Sequence, residues 1–185
     1  MSGCGEAPRL WTAPAVHGST LHDAERINHR ILTAFGALTE EDFSRRTHFF
    51  GGRFENLYLN RDRIPELQTV LDRAEACARQ ILTWGARPLR CGFWLNAQGP
   101  GQSTSEHTHE EIDELLSGVY YLRVPEGSGD IVLTAGRLTM HVTPEAGMFL
   151  FFPPSLSHRV EINRSGELRL SLAFNFGPVD EDGRN

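Results

Sequence analysis

From Asp130 to Phe174 the chain reads DIVLTAGRLTMHVTPEAGMFLFFPPSLSHRVEINRSGELRLSLAF. Short apolar or β-branched runs are cut at regular intervals by turn chemistry: Ala135-Gly136, Pro144-Glu145-Ala146-Gly147 and Arg164-Ser165-Gly166. The spacing predicts strands over Asp130 to Thr134, Arg137 to Val142, Met148 to Phe152, His158 to Ile162 and Leu168 to Phe174. Upstream, the same texture adds Leu89 to Asn96 and Ser117 to Val124, the latter closed by Pro125-Glu126-Gly127-Ser128-Gly129. Seven short strands so spaced imply a sandwich or a barrel.

Ahead of Pro88 the apolar residues follow a helical period. A helix is expected from Ser19 as N-cap, carrying Ala24, Ile27, Ile31 and Phe35 inward until Gly36. A second opens near Pro65 and shows one stripe of Leu67, Leu71, Ala74, Ala78, Ile81 and Leu82 before Gly85 and Pro88 close it. Both stripes read as core packing that braces the sheet. The 185 residues suffice for one compact domain over 1–185, with a helical support region at about 19–85 and a barrel core at about 89–176. The fold class is therefore mainly β with supporting α-helices.

Composition narrows the chemistry. All 18 basic residues are Arg, so Schiff-base, pyridoxal and P-loop mechanisms, which each need a Lys, are excluded. The formal charge of −6 comes without an Arg-rich block, which leaves no electrostatic footprint for nucleic acid or an anionic membrane, and a small molecule is the expected partner. Three scattered cysteines, Cys4, Cys77 and Cys91, make neither a disulfide framework nor a thiolate zinc site. Met1 to Val16 lacks the apolar core of a signal peptide, so a cytoplasmic location is expected. No strand is marked as an edge for self-association.

The densest run of ligand-type side chains is Glu106-His107-Thr108-His109-Glu110-Glu111, followed by Asp113 and Glu114. In an extended segment His107 and His109 point to one face and can reach one ion; taken alone, the run reads more readily as a solvated acidic loop. His158 follows the aromatic run Met148 to Phe152 and the turn Pro153-Pro154, where a barrel could bring it beside the His pair. Three ligands on one face leave positions open for substrate and oxygen. On the last strand Arg169 and Ser171 share a face while Leu170, Leu172 and Phe174 take the other. A guanidinium directed into a barrel demands an anion, which is either a bound carboxylate or an acidic side chain of this chain.

Trp94-Leu95-Asn96, Gly101, His107-Thr108-His109, Leu116 to Leu122, Phe152-Pro153 with His158, and Arg169, Ser171, Phe174 and Asn175 together resemble a bacterial group of 2-oxoglutarate- and iron(II)-dependent oxygenases. The resemblance runs from about Phe93 to Asn175 and implies a double-stranded β-helix (jelly-roll) barrel. It also implies iron(II) and 2-oxoglutarate as cofactors, O2 as co-reactant, and hydroxylation of a small molecule. Carried over by position, the metal ligands are His107, His109 and His158. The spacing leaves a second register, since two extra residues lie around the Glu110 to Leu116 loop: His109, Glu111 and His158. Arg169 and Ser171 would hold the distal carboxylate of 2-oxoglutarate, with Asn96 and Tyr121 as further donors; Tyr120 alternates with Tyr121, so only one of the two faces the lumen.

Gly101 to Glu114 and Gly147 to His158 also resemble the two metal motifs of cupins, which share the barrel. That reading would use His107, His109, Glu114 and His158 and has no role for Arg169; Ser155 stands where the cupin pattern has Gly. The substrate would meet the loops. Arg45-Arg46 and His48 to Arg53 read as a surface loop or, alternatively, as a lid over the mouth, with Arg53 or Arg90 available to an acidic substrate group.

Overall fold

The computed structural model describes residues 9–11, 16–109 and 113–179. Its strands are β1 (Arg9–Trp11), β2 (Val16–Thr20), β3 (Phe43–Phe50), β4 (Arg53–Leu59), β5 (Leu89–Gln98), β6 (Thr104–His107), β7 (Leu116–Arg123), β8 (Ile131–Ala135), β9 (Leu138–Val142), β10 (Met148–Phe152), β11 (Ser157–Val160) and β12 (Arg169–Pro178). The helices are α1 (Ala24–Gly36) and α2 (Leu67–Ile81). Eight strands form one sheet in the order β1-β2-β10-β7-β12-β5-β4-β3, and the other four form a second in the order β6-β11-β8-β9. This is the jelly-roll arrangement the sequence implies. No helix among the described residues is long and apolar enough to cross a membrane.

The central strands β10, β7 and β12 of the large sheet are buried on both faces, and strict alternation sorts their side chains. Phe149 and Phe151 of β10, Tyr120 and Leu122 of β7, and Leu170, Leu172, Phe174 and Phe176 of β12 join Ile27, Ile31, Leu67, Leu71, Ala74 and Ala78 of the helices in one core. Val119, Tyr121, Leu150 and Phe152 turn the other way and pack with Ile131 and Leu133 of the small sheet. A strand covered on both sides reads as an unbroken apolar run, which is why Met148 to Phe152 carries no polar alternation. Asn28 ties α1 to the sheet: its Oδ1 accepts from Tyr120 Oη at 2.7 Å and its Nδ2 donates to the Tyr121 carbonyl at 3.4 Å.

Two expectations are corrected, and one strand carries no sequence signal. Ser19 is not a helix cap; it lies in β2, paired with Phe149, and α1 starts after Asp23, whose φ of 59° makes the left-handed entry. β2 captures this segment because β10 offers it a hydrogen-bonding partner. The stretch from Arg45 to Arg53 is neither loop nor lid: it is the β3–β4 hairpin, turned at Gly51-Gly52, which extends the large sheet beyond β5. The short β6 was also unmarked, because Thr-Ser-Glu-His has no apolar pattern.

Gly118 marks the tightest approach in the core. A Cβ there would lie 2.4 Å from Phe174 Cε2 and 2.9 Å from the Leu150 carbonyl oxygen. Gly118→Ala should lower stability by about 1–3 kcal/mol through overpacking, read as a reduced midpoint in denaturant unfolding. An unchanged midpoint would contradict this packing.

Candidate metal centre and anion pocket

Strand pairing decides which side chains enter the space between the sheets. β6 and β11 run antiparallel with His107 opposite His158, and the His109 backbone N–H donates to the Pro154 carbonyl at 2.9 Å. The ring centroids of His107 and His158 are 4.3 Å apart, those of His107 and His109 5.0 Å, and those of His109 and His158 5.1 Å. One ring nitrogen from each lies within 4.8 Å of the other two. His107 Nδ1 is 2.8 Å from the Ser105 carbonyl and His158 Nδ1 is 3.0 Å from the Leu156 carbonyl. A carbonyl only accepts, so each Nδ1 carries the proton and each Nε2 keeps a free lone pair.

The electrostatics favour ligation in the same way. Burial, then the neighbouring His107, pushes His158 down to about 3 and His109 down to about 4. Both are neutral at pH 7. Trp94 packs against His109 at 5.7 Å and Phe152 against His158 at 4.7 Å between centroids, which gives the site an apolar wall. Three imidazoles that converge on one place suit a divalent transition metal. Glu111 of the second register lies outside the described residues. Glu114, required by the cupin reading, does not join the cluster: it is 3.4 Å from Arg90, which also holds Asp113 at 2.5 Å. Arg90 is thereby committed to these two carboxylates.

Across the cavity, Arg169 is 1% exposed. Its Nη1 donates to the carbonyls of Ser128 and Gly129, its Nε has no partner, and it forms no ion pair among the described residues. Burial pushes its pKa down, yet a guanidinium stays charged. The neighbouring positions follow from register. Ser171 sits between Asn96 on β5 and Tyr121 on β7, so these three form one cross-strand row directly beside Arg169 and Gln98. All five residues line the cavity that His107, His109 and His158 also line. The Tyr121 ring centroid lies 5.3 Å from the guanidinium carbon, and burial pushes its phenol up to about 12. Tyr120 faces the helices instead. The cavity therefore has an imidazole-lined end and a cationic, donor-rich end, and unpaired buried donors are the feature an anion would satisfy.

Residues missed by sequence reading include Asn56, which reaches the cavity from β4, and Thr104, which lines it from β6. The Gly51-Gly52 pair between two β-rich runs was the available signal for the hairpin that carries Asn56.

Residues 133–175 match the family model described as "Putative 2OG-Fe(II) oxygenase", and this segment contains His158, Arg169 and Ser171. No curated protein matches the chain. Among solved structures, the chain is similar to a Pseudomonas putida prolyl-4-hydroxylase (TM-score 0.60, 18% identity, 88% of this chain and 87% of that one). It is likewise similar to an oxidoreductase of the 2OG-Fe(II) oxygenase family from Burkholderia pseudomallei (TM-score 0.62, 18% identity, 88% and 84%). A third is the non-heme alpha ketoglutarate dependent epimerase SnoN from nogalamycin biosynthesis (TM-score 0.69, 17% identity, 89% and 78%). The fold is that of the 2-oxoglutarate oxygenases.

The lowered imidazoles set a pH dependence for the metal-free protein. Unfolded, His109 and His158 bind protons near pH 6.5; folded, they do so only near 4 and 3. Between these limits the unfolded chain holds more protons, so stability falls as pH drops from about 6.5 toward 4. Denaturant midpoints of the metal-free protein should show this loss, and the double variant His109→Asn, His158→Asn should show a shallower slope. An equal slope would contradict neutral, buried rings.

Proposed function

We propose that the protein is an iron(II)- and 2-oxoglutarate-dependent hydroxylase in which His107, His109 and His158 hold the metal and Arg169 anchors the cosubstrate. One observation carries the reading: three imidazoles free to ligate and one buried guanidinium without an anion line a single cavity. The donor set fits the iron, and the unpartnered Arg169 Nε fits a carboxylate.

When bound, iron(II) and 2-oxoglutarate supply the oxidising chemistry, decarboxylation to succinate with O2 coupled to hydroxylation of a substrate C–H. The chain supplies the positions. Nδ1–H bonds to the Ser105 and Leu156 carbonyls fix the His107 and His158 rings with Nε2 available. The planar fork of Arg169 selects a carboxylate over a neutral group, with Ser171, Tyr121 and Asn96 as the surrounding donors. Trp94, Val119, Ile131 and Phe152 complete the lining with apolar surface, which limits water and strengthens each charged contact. Trp94 and Asn56 mark the side from which a small-molecule substrate would approach His109.

Anaerobic addition of iron(II) and 2-oxoglutarate should produce the weak visible charge-transfer band of the chelate. Arg169→Ala should weaken 2-oxoglutarate binding by at least about 30-fold, the scale expected when a buried charge pair is broken, while Glu114→Ala should keep the band. No band in the wild-type protein, or a band indifferent to Arg169→Ala, would reject the proposal. His107→Ala should lose iron and Glu111→Ala should keep it; the reverse pattern would move the ligand set to His109, Glu111 and His158.

A further inference from the structure

Glu55 lies on β4, outside the cavity lining, and is 2% exposed. Burying an ionised carboxylate is costly unless it is hydrogen-bonded. Its bonds go to one residue: Oε1 accepts from the Ser105 backbone N–H at 3.0 Å, and Oε2 accepts from Ser105 Oγ at 3.1 Å. Ser105 belongs to β6, the edge strand of the small sheet, whereas β4 belongs to the large one. Glu55 therefore bridges the seam between the sheets. The next link leads to the metal centre, because the Ser105 carbonyl accepts from His107 Nδ1 at 2.8 Å. Arg53, two residues earlier, braces the same seam through Nη2 to the Ser103 carbonyl at 3.2 Å.

We propose that Glu55 is a positioning residue for His107: it fixes Ser105 by two hydrogen bonds, and Ser105 in turn fixes the ring and tautomer of the metal ligand. The inference rests on the reading of His107 as an iron ligand. The bridge ends on an edge strand, where one side of the backbone has no sheet partner to hold it, and a clamp there has the largest effect on register. Asn56, the next residue, lines the cavity, so one hairpin both holds the ligand strand and contributes to the substrate side.

The test measures iron(II) affinity and the position of the anaerobic iron(II)–2-oxoglutarate band in folded protein, checked by circular dichroism. Glu55→Ala should weaken iron binding on the order of 10–100-fold, the scale of a lost outer partner, and should shift the band. Glu55→Gln should stay close to wild type, because its carbonyl still accepts from the Ser105 N–H and its amide donates to Ser105 Oγ. Glu55→Asp keeps the charge but is one methylene too short for both bonds and should behave like Glu55→Ala. Where Glu55→Ala does not fold, the contrast between Gln and Asp decides. Wild-type affinity and band in Glu55→Asp, together with iron loss in His107→Ala, would overturn the role of Glu55 alone. Wild-type iron binding in His107→Ala would overturn the ligand assignment itself.

Discussion

The constraint on which the site depends is the antiparallel pairing of β6 and β11, which sets His107 against His158. At centroid separations of 4.3–5.1 Å imidazolium groups would repel one another in a poorly hydrated space, and burial keeps His109 and His158 neutral. Carbonyls two residues upstream then hold two of the protons on Nδ1. Neutrality, tautomer and convergence thus arise together from strand register, and their joint product is a set of lone pairs aimed at one place.

The opposite end of the cavity shows the complementary imbalance. Arg169 is buried on the lumen face of β12 with backbone carbonyls as its hydrogen-bond acceptors, and those partners neutralise none of its charge. Such a group is tolerated where a ligand completes it, and the row Asn96, Ser171 and Tyr121 surrounds it with further donors. The other faces of these strands show how the arrangement is held. Leu170, Leu172 and Phe174 lock β12 against the helices, so the polar residues between them have fixed directions. The cost of placing charge in the lumen is offset by apolar packing on the far side of the same strand.

Much of this was readable from the residues. Met148 to Phe152 begins and ends where the sequence put it, and the strand carrying Arg169 and Ser171 has its faces as alternation dictates, because turns rich in Gly and Pro delimit strands whose apolar residues have nowhere else to go. The gathering of His107, His109 and His158 in space was an expectation from resemblance, since a two-residue spacing cannot say what lies across the sheet. The β3–β4 hairpin is marked in the sequence by its Gly51-Gly52 turn alone, for a physical reason. Its side chains serve two environments, Leu57 and Leu59 packing toward the helices while Asn56 enters the cavity and Arg45 stacks on Tyr58 at 4.0 Å, so no clean apolar alternation survives. Glu55 was equally hidden, because a carboxylate in a strand looks solvated until its buried partner on another sheet is known.

The central claim is that one cavity holds a metal at its histidine end and a carboxylate at its arginine end. Anomalous diffraction at the iron edge, from crystals loaded anaerobically with iron(II) and 2-oxoglutarate, tests it most directly. The account predicts a single iron peak within bonding distance of Nε2 of His107, His109 and His158, with the distal carboxylate of 2-oxoglutarate paired to Arg169. An iron peak elsewhere, or a guanidinium with no carboxylate against it, would contradict the account.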